Sequence, residues 1–203
     1  MIVCLISGRG SNLQALLDAG LPITAVFSNR RDAEGLQMAA GRGVATGVLE
    51  HRAFPTRDAF DSALSKEIDR LSPSLVVLAG FMRVLTPSFV ERYRGRLLNI
   101  HPSLLPAFPG LDTHARALAA GVKLHGCTVH FVTPEVDHGP IVIQAAVRVR
   151  PDDTAESLAA RVLRQEHIIY PRAVRWFLDG ELVIEAGVVN VKGNDAQVVV
   201  AAD

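Results

Sequence analysis

The chain has 203 residues, 49% of them hydrophobic, which is enough apolar content to bury a sizeable core. Its 21 basic residues balance its 21 acidic ones, so no net field would hold it on nucleic acid or on an anionic membrane. Both cysteines, Cys4 and Cys127, lie in apolar stretches, which favours reduced, buried thiols over disulfides or zinc ligands.

Neither secretion nor membrane insertion is predicted. The N-terminal apolar run has no basic region before it and breaks at Ser7 and Gly8, too soon for a signal peptide. The longest other apolar run, residues 75–82, is far shorter than the roughly 20 residues of a membrane span. We therefore expect a cytoplasmic protein with no membrane or nucleic-acid partner.

Short β-branched runs alternate with amphipathic segments through the first half of the chain. In chain order, the predicted elements are a strand at 2–6, a helix from Asn12, a strand at 23–27, a helix from Asp32, a strand at 44–49, a helix over 56–71, and strands at 75–79 and 97–101. This is the βαβ rhythm of a parallel sheet. The run at 75–79 is apolar throughout, which predicts a central strand covered on both faces.

A loop rich in proline and glycine, residues 102–110, interrupts this rhythm at the middle of the chain. Beyond it, residues 125–132 and 141–149 predict strands that extend the sheet, with antiparallel pairing among the options. A helix is expected from about Thr154, and Pro171 is expected to bend or split it before Gly180 ends it. Residues 181–203 are interpreted as a short strand and a loose tail.

The first strand leads into a glycine turn and then a helix, with Gly8, Gly10, Ser11 and Asn12 at the junction. Such a turn presents unpaired N–H groups and the positive end of the helix dipole to an anion. An ordinary tight turn with Ser11 or Asn12 as helix cap explains the same residues equally well. The turn alone therefore leaves a phosphate site and a plain βα turn open.

A dinucleotide-binding turn would need a third glycine and a later acidic residue. Leu13 occupies the third position, and residues 27–30 supply no acid for a ribose hydroxyl, so NAD is not expected. Arg30 and Arg31 are suited to a 2′-phosphate, and this leaves an NADP-dependent reductase as an alternative. A non-catalytic module that binds a phosphometabolite is the other alternative.

Asn99 and His101 lie two positions apart on a predicted inner strand, so their side chains share one face at its carboxyl end. An amide beside an imidazole can bind a developing oxyanion and move a proton. The competing interpretation makes Asn99 a loop cap and His101 a buried core histidine. If Asp137 in the loop 133–140 reaches His101, its carboxylate would favour the imidazolium form.

Two further groups of residues bear on ligand binding. Glu166 on the last helix is suited to a ligand cation, or else lies on a solvated helix face. The remaining histidines lack metal-ligand spacing and the cysteines are not clustered with them, so we expect no metal.

Six segments of the chain resemble the phosphoribosylglycinamide formyltransferase family: ISGRGSNLQALLDA, VFSNR, VVLAGFMRVLTP, LLNIHPSLLPAFPGLDTHARAL, HGCTVHFVTPEVDHGPIV and QEHIIYP. NIHPSLLP followed by VDHGPI is specific to folate-dependent formyl transfer. The chain departs from the family in a short connection before Ile23 and in its sequence after Val188. Formyltetrahydrofolate hydrolases and other formyltransferases share the same core and stay as alternatives, although we expect no room in 203 residues for the extra domains that are usual in them.

The resemblance implies an α/β, Rossmann-like formyltransferase fold with a mostly parallel central sheet and helices on both faces. It also implies one domain over residues 1–203. Within it, residues 1–100 would bind phosphate, residues 101–190 would complete the folate and catalytic site, and residues 191–203 would form a tail. The oligomeric state would be a monomer or a homodimer.

The implied activity is transfer of the formyl group of 10-formyltetrahydrofolate to the amine of phosphoribosylglycinamide in purine synthesis, without metal or nicotinamide. By resemblance, the catalytic residues are Asn99, His101 and Asp137. The residues expected to bind the ribonucleotide are Gly10, Ser11, Asn12, Leu163, Arg164, Gln165 and Glu166. The residues expected to line the folate pocket are Arg57, Met82, Arg83, Val84, Leu85, Asn99, Thr133, Pro134, Glu135, Val136 and Asp137.

Overall fold

The computed structural model describes residues 1–193 and 195–201, and the chain divides into two compact units, Met1–Asn99 and Ile100–Asp203. The expectation of a single domain over the whole chain stays a prediction. No helix in the described ranges is long and apolar enough to cross a membrane.

The first unit is a parallel sheet with a helix or turn between successive strands. Its elements are β1 (Ile2–Ile6), α1 (Ser11–Asp18), β2 (Ile23–Ser28), α2 (Glu34–Gly41), β3 (Ala45–Val48), a 3₁₀ turn (His51–Ala53), α3 (Arg57–Arg70), β4 (Leu75–Leu78), α4 (Pro87–Arg92) and β5 (Leu97–His101). The strands lie in the order β3-β2-β1-β4-β5, and each neighbouring pair is parallel. All residues of β1 and β4 are buried, as the apolar runs predicted.

Helix α3 shows how the local sequence sets an element. Thr56 caps it by accepting a hydrogen bond from the Ala59 N–H at 3.1 Å. Phe60, Leu64 and Ile68 recur at helical spacing and are at most 1% exposed. Its predicted bounds were therefore right to within a residue, whereas the short helix α4 was not predicted.

The second unit begins within β5 and contains an antiparallel pair of strands packed against a long helix. Its further elements are α5 (Thr113–Ala119), β6 (Leu124–Phe131), β7 (Ile141–Arg148), α6 (Ala155–Leu178), β8 (Leu182–Glu185), β9 (Val188–Val191) and β10 (Val198–Val200). Strands β6 and β7 are antiparallel, and β10 is parallel to β7. Both units together are of the α/β class with mostly parallel pairing, which confirms the predicted fold class.

Two expectations for the second unit are corrected by the structure. Pro171 does not split helix α6, which runs through it for 24 residues because buried residues on both sides of the proline, among them Val162 and Val174, hold it in place. A bend at Pro171 stays a prediction. The end of the chain is also more ordered than a short strand and a loose tail: β8 pairs with β9, and β10 adds to β7. Within the predicted tail 191–203, positions 194, 202 and 203 lie outside the described residues.

Candidate active site

Strand β5 ends at His101, which is 6% exposed and has an acceptor beside each ring nitrogen. Its Nε2–H donates to the carbonyl oxygen of Phe108 at 3.0 Å, and since a carbonyl only accepts, this nitrogen carries a proton. Its Nδ1 lies 3.4 Å from Oδ2 of Asp137. An imidazolium, with a proton on each nitrogen, matches both neighbours.

Asp137 lies at the centre of this cluster, with its side chain 10% exposed and its backbone at φ 57°. Its Oδ2 accepts a hydrogen bond from the Gly110 N–H at 2.8 Å. Its Oδ1 lies 3.8 Å from Nε2 of His130, a residue whose pKa is lowered by burial. The structure thus brings Asp137 and His101 together, as the sequence suggested.

Sequence reasoning missed His130 as part of this cluster. The alternation along β6 puts His130 on the same face as Thr128, opposite the apolar Cys127 and Val129. That alternation was the available signal, but spacing alone does not show which polar residue on a strand meets a distant carboxylate.

Side chains from β6 and β7 hold the proline-rich loop that follows His101. The hydroxyl of Thr128 accepts from the Leu105 N–H at 3.0 Å and donates to the Ser103 carbonyl at 2.7 Å. Gln144 Nε2 donates to the Leu105 carbonyl at 2.8 Å. These bonds fix the start of the loop that supplies both Phe108 and Gly110 to the cluster.

Asn99 lies two residues before His101 on β5, in register with Leu78 on β4, and is half-buried. The strand's alternation puts its side chain on the same side as that of His101. An amide donor and an imidazole therefore extend from the same face of the strand, as required for residues that bind an oxyanion and transfer a proton together.

The glycine turn after β1 leads into α1 without a side-chain cap. Gly10 itself is the N-cap of α1, at φ 79°, so the alternative in which Ser11 or Asn12 caps the helix is wrong. A Cβ at Gly10 would lie 2.9 Å from the Cα of Gly35, so a side chain at this position meets backbone. The Gly35 N–H in turn donates to the Gly8 carbonyl at 3.2 Å.

Ser7, which sequence reasoning did not single out, joins two loops of the first unit. Its hydroxyl is 2.5 Å from Oδ1 of Asn29, to which it donates, and it accepts from the Met82 N–H at 2.8 Å. Asn29 Nδ2 also lies 3.1 Å from Nδ1 of His51. Ser7 and Asn29 are each 4% exposed. The glycine turn and the loop after β4 are thereby fixed to each other.

The loop after β4 exposes apolar side chains beside a cation. Met82 is 71% exposed and Val84 is 53% exposed. Arg57 at the start of α3 has its Nη1 3.5 Å from the Val84 carbonyl, and the Arg83 guanidinium lies over the Phe60 ring at 5.8 Å. Leu85, by contrast, is buried. Arg57 is thus a neighbour of the loop that carries the other predicted folate residues of the first unit.

The remaining predicted site residues lie in the second unit. Thr133, Pro134, Glu135 and Val136 form the loop between β6 and β7, where Val136 is 48% exposed. Residues 163–166 lie in the middle of α6, and Glu166 is 7% exposed, so it is not on a solvated helix face. Within the described residues, no group of three or more His, Cys, Asp or Glu side chains is arranged to hold a metal ion.

Comparison with known proteins identifies the family. The formyl transferase family model matches residues 1–174. The chain belongs to the formyltransferase family. The phosphoribosylglycinamide formyltransferase of Escherichia coli K12 is 54% identical over 187 residues, which cover 89% of this chain and 88% of that protein.

Solved structures of formyltransferases superimpose closely on this chain. The phosphoribosylglycinamide formyltransferase of Coxiella burnetii, solved with CHES, is 49% identical, with a TM-score of 0.91 over 95% of this chain and 93% of that one. The enzyme of the same name from Anaplasma phagocytophilum is 40% identical, with a TM-score of 0.93 over 99% and 98%. The family resemblance predicted from the sequence is thereby confirmed.

Proposed function

We propose that this formyltransferase is a phosphoribosylglycinamide formyltransferase of purine synthesis, with 10-formyltetrahydrofolate as the formyl donor. The observation that carries the proposal is the buried His101–Asp137 pair at the end of β5, on the strand that also bears Asn99. The similar proteins named above carry the same activity in their names. We place the enzyme in the cytoplasm as a monomer or homodimer.

The chemistry is a direct transfer between two nitrogens. The amine of the ribonucleotide attacks the formyl carbon, which gives a tetrahedral oxyanion, and collapse breaks the bond to N10 of the folate. The amine loses one proton and N10 gains one, so the step balances without a metal or a redox cofactor.

Each catalytic residue has a role that its surroundings support. The Asn99 amide donates to the oxyanion, and the His101 imidazolium stabilises it and supplies a proton. Asp137 holds the imidazolium through its charge and orients the ring. The carbonyl of Phe108 accepts a hydrogen bond from the His101 Nε2–H in this structure, so delivery of that proton to a substrate requires this hydrogen bond to break.

For the ribonucleotide, we assign the phosphate to Gly10, Ser11 and Asn12. The N-cap of α1 is a glycine with no side-chain cap, and this favours an anion as the partner of the helix N-terminus. The stretch 163–166 of α6 would border the rest of this substrate, with Glu166 as the buried acceptor.

For the folate, we assign Arg57, the loop after β4 and residues 133–137. The exposed Met82, Val84 and Val136 support an apolar ligand, because an aromatic pterin would cover surface that water otherwise contacts. Arg57 supplies a positive charge for the glutamate end of that ligand.

The test is an assay of deformylated folate release with both substrates, and then with each substrate omitted. We expect release only when both are present, unchanged by a chelator and without any nicotinamide. Folate turnover without the ribonucleotide would instead show a hydrolase, and loss of activity with the chelator would contradict the metal-free chemistry.

A further inference from the structure

The loop after β4 is held by side chains at two points, one on each side of residues 83–85. At the first point, the hydroxyl of Ser7 accepts a hydrogen bond from the Met82 N–H at 2.8 Å. At the second, Oδ2 of Asp61 on α3 accepts from the Thr86 N–H at 2.6 Å. The stretch between these points belongs to the segment assigned above to the folate, so both hydrogen bonds bear on the shape of that surface.

The hydrogen bond between Thr86 and Asp61 is shielded from water. Asp61 is 2% exposed and Thr86 is 4% exposed, and a hydrogen bond in such surroundings is stronger than one in water. Thr86 is also the N-cap of α4, where its hydroxyl accepts from the Phe89 N–H at 3.4 Å. Asp61 therefore fixes the point at which the loop ends and α4 begins.

Two neighbours of Asp61 on α3 also contact the loop. Arg57, Phe60 and Asp61 have the spacing i, i+3, i+4, which places them on one side of the helix. Arg57 Nη1 lies 3.5 Å from the Val84 carbonyl oxygen, and the Arg83 guanidinium lies over the Phe60 ring at 5.8 Å. Both of these contacts depend on a long arginine side chain with much rotamer freedom. The short bond from Asp61 to the backbone is thus the contact that sets the position of the loop on α3.

Asp61 is a costly residue for stability at this position. Its second oxygen, Oδ1, is buried and has no hydrogen-bond partner within the described residues. Burial of a polar atom without a partner costs free energy. Departures of this kind from the rules of packing are concentrated at functional sites. The cost therefore favours a role of Asp61 in the function of the loop over a role in the stability of α3.

We propose that Asp61 is a positioning residue for folate binding, which acts through the backbone of Thr86 rather than by contact with the ligand. The inference rests on the proposed function, since it requires the folate to lie against the loop after β4. Without this bond, only a fraction of the molecules hold the loop in the binding conformation, and the apparent affinity falls by that fraction. Ser7 joins the loop to the glycine turn, whereas Asp61 joins it to α3, so the effect of Asp61 is specific to the folate.

The experiment is steady-state kinetics of the full chain, with 10-formyltetrahydrofolate and phosphoribosylglycinamide varied in turn. We expect Asp61→Ala to raise KM for the folate at least about tenfold, while kcat and KM for the ribonucleotide change less than about threefold. Asp61→Asn keeps an oxygen that accepts from the Thr86 N–H, so its KM for the folate should stay within about threefold of that of the unmodified chain.

The matched control is Asp69→Ala, which changes the same residue type in the same helix. Asp69 accepts from Arg92 Nε at 2.7 Å and from the Tyr93 hydroxyl at 3.0 Å, so its replacement weakens the contact of α3 with α4 and the residue after it. Its KM for the folate should equal that of the unmodified chain. An equal rise in this control, an unchanged KM in Asp61→Ala, or failure of Asp61→Asn to restore KM would overturn the inference.

Failure of the proposed function would be seen in the unmodified chain, which would then show no formyl transfer. Calorimetric titration with tetrahydrofolate tests the inference in that case: weaker binding by Asp61→Ala than by Asp69→Ala supports it, and equal binding or no binding overturns it. Amide hydrogen exchange reports the bond without any ligand. The Thr86 N–H should exchange faster in Asp61→Ala and at the unmodified rate in Asp61→Asn, and an unchanged rate in Asp61→Ala would contradict the inference.

Discussion

His101 is placed so that replacing it should affect the chemical step more than substrate binding. His101→Ala is expected to lower kcat by roughly 10²- to 10⁴-fold, because it removes the proton donor. Asn99→Ala is expected to lower kcat by roughly 10²- to 10³-fold, because it removes an oxyanion donor. Steady-state kinetics with both substrates check this, and binding should survive in each variant. Near-normal turnover by His101→Ala would refute the mechanism while leaving the family assignment intact.

Asp137 gives a second test at the residue scale. Its carboxylate lies 3.4 Å from His101 Nδ1, so Asp137→Asn removes the negative charge beside the ring while keeping the shape. We expect kcat to fall at least about tenfold, because the charge that stabilises the His101 ring during proton transfer is lost. Steady-state kinetics check this, and KM for both substrates should change little. An unchanged kcat would mean that Asp137 has no such role.

Ser7 is a positioning residue whose loss should affect both substrates. Ser7→Ala leaves the Met82 N–H and the side-chain oxygen Oδ1 of Asn29 without their buried partner, which costs about 1–3 kcal/mol. We expect KM to rise severalfold for the ribonucleotide and for the folate, with a smaller change in kcat, and Ser7→Thr to restore both. Ser28→Ala is the control: Ser28 is also buried, and among the described residues its hydroxyl accepts a hydrogen bond from the nearby Arg30 N–H. A stability loss without a KM change in Ser7→Ala would make Ser7 purely structural.

Some residues of the candidate site could be predicted from the sequence, and others could not. Asn99, His101 and Asp137 could be singled out because strand alternation and turn composition are local properties of the chain. Ser7 and His130 could not, since their importance comes from contacts with Met82 and Asp137 that no spacing rule predicts. Arg57 and Met82 were found only through family resemblance.

At the scale of elements, the N-terminus of α1 allows a substitution whose expected effect differs from that of misfolding. Ser11→Asp places a negative charge in the first turn of α1, where it interacts favourably with the helix dipole but repels a phosphate. We expect KM for the ribonucleotide to rise at least tenfold, while KM for the folate and the thermal midpoint stay unchanged. Ser88→Asp makes the same substitution in the first turn of α4 and should leave both KM values unchanged. Equal effects on the two substrates in Ser11→Asp would refute the phosphate assignment.

The contact between α5 and β6 predicts an acid sensitivity. His125 is 1% exposed, with its Nε2 3.2 Å from Nδ1 of His114, and burial together with that neighbour lowers the pKa of His125 to about 4. The unfolded chain, with a histidine pKa of about 6.5, binds this proton first as the pH falls. Stability supplied by neutral His125 is therefore present above pH 6.5 and is lost towards pH 4, by at most about 3 kcal/mol.

Urea unfolding between pH 7 and pH 4.5 measures this loss. In His125→Gln the free energy of unfolding should fall less steeply with pH than in the unmodified chain, because one protonation is removed. His138 is exposed, so His138→Gln should keep the original slope. Identical slopes in all three proteins would show that protonation of His125 does not drive the acid sensitivity.

Elements were predictable where one strong periodic signal filled the segment. Strand β5 and helix α3 were placed almost to the residue on that basis. Helix α6 continues through Pro171 because its packing against the rest of the unit outweighs one lost hydrogen bond. Strand β10 has only three residues and was missed because its pairing with β7 stabilises it. Such packing is not encoded in a local window.

For the whole molecule, the alternation of strands and helices was sufficient for the α/β class, and the motif order was sufficient for the family. The superimposed structures confirm the class, and the match over residues 1–174 confirms the family. The assignment of individual side chains to the two substrates has to be tested by experiment, because no local sequence pattern specifies which ligand a loop binds.

The central claim is that the formyl group passes directly from folate to the ribonucleotide amine. The most direct measurement supplies 10-formyltetrahydrofolate with ¹³C in the formyl group together with phosphoribosylglycinamide, and follows the label by NMR. We predict that all transferred label appears in the N-formyl ribonucleotide, in equal amount to the tetrahydrofolate released, and that it appears roughly 10²- to 10⁴-fold more slowly in His101→Ala. Label in formate, or tetrahydrofolate release without labelled ribonucleotide, would contradict the account.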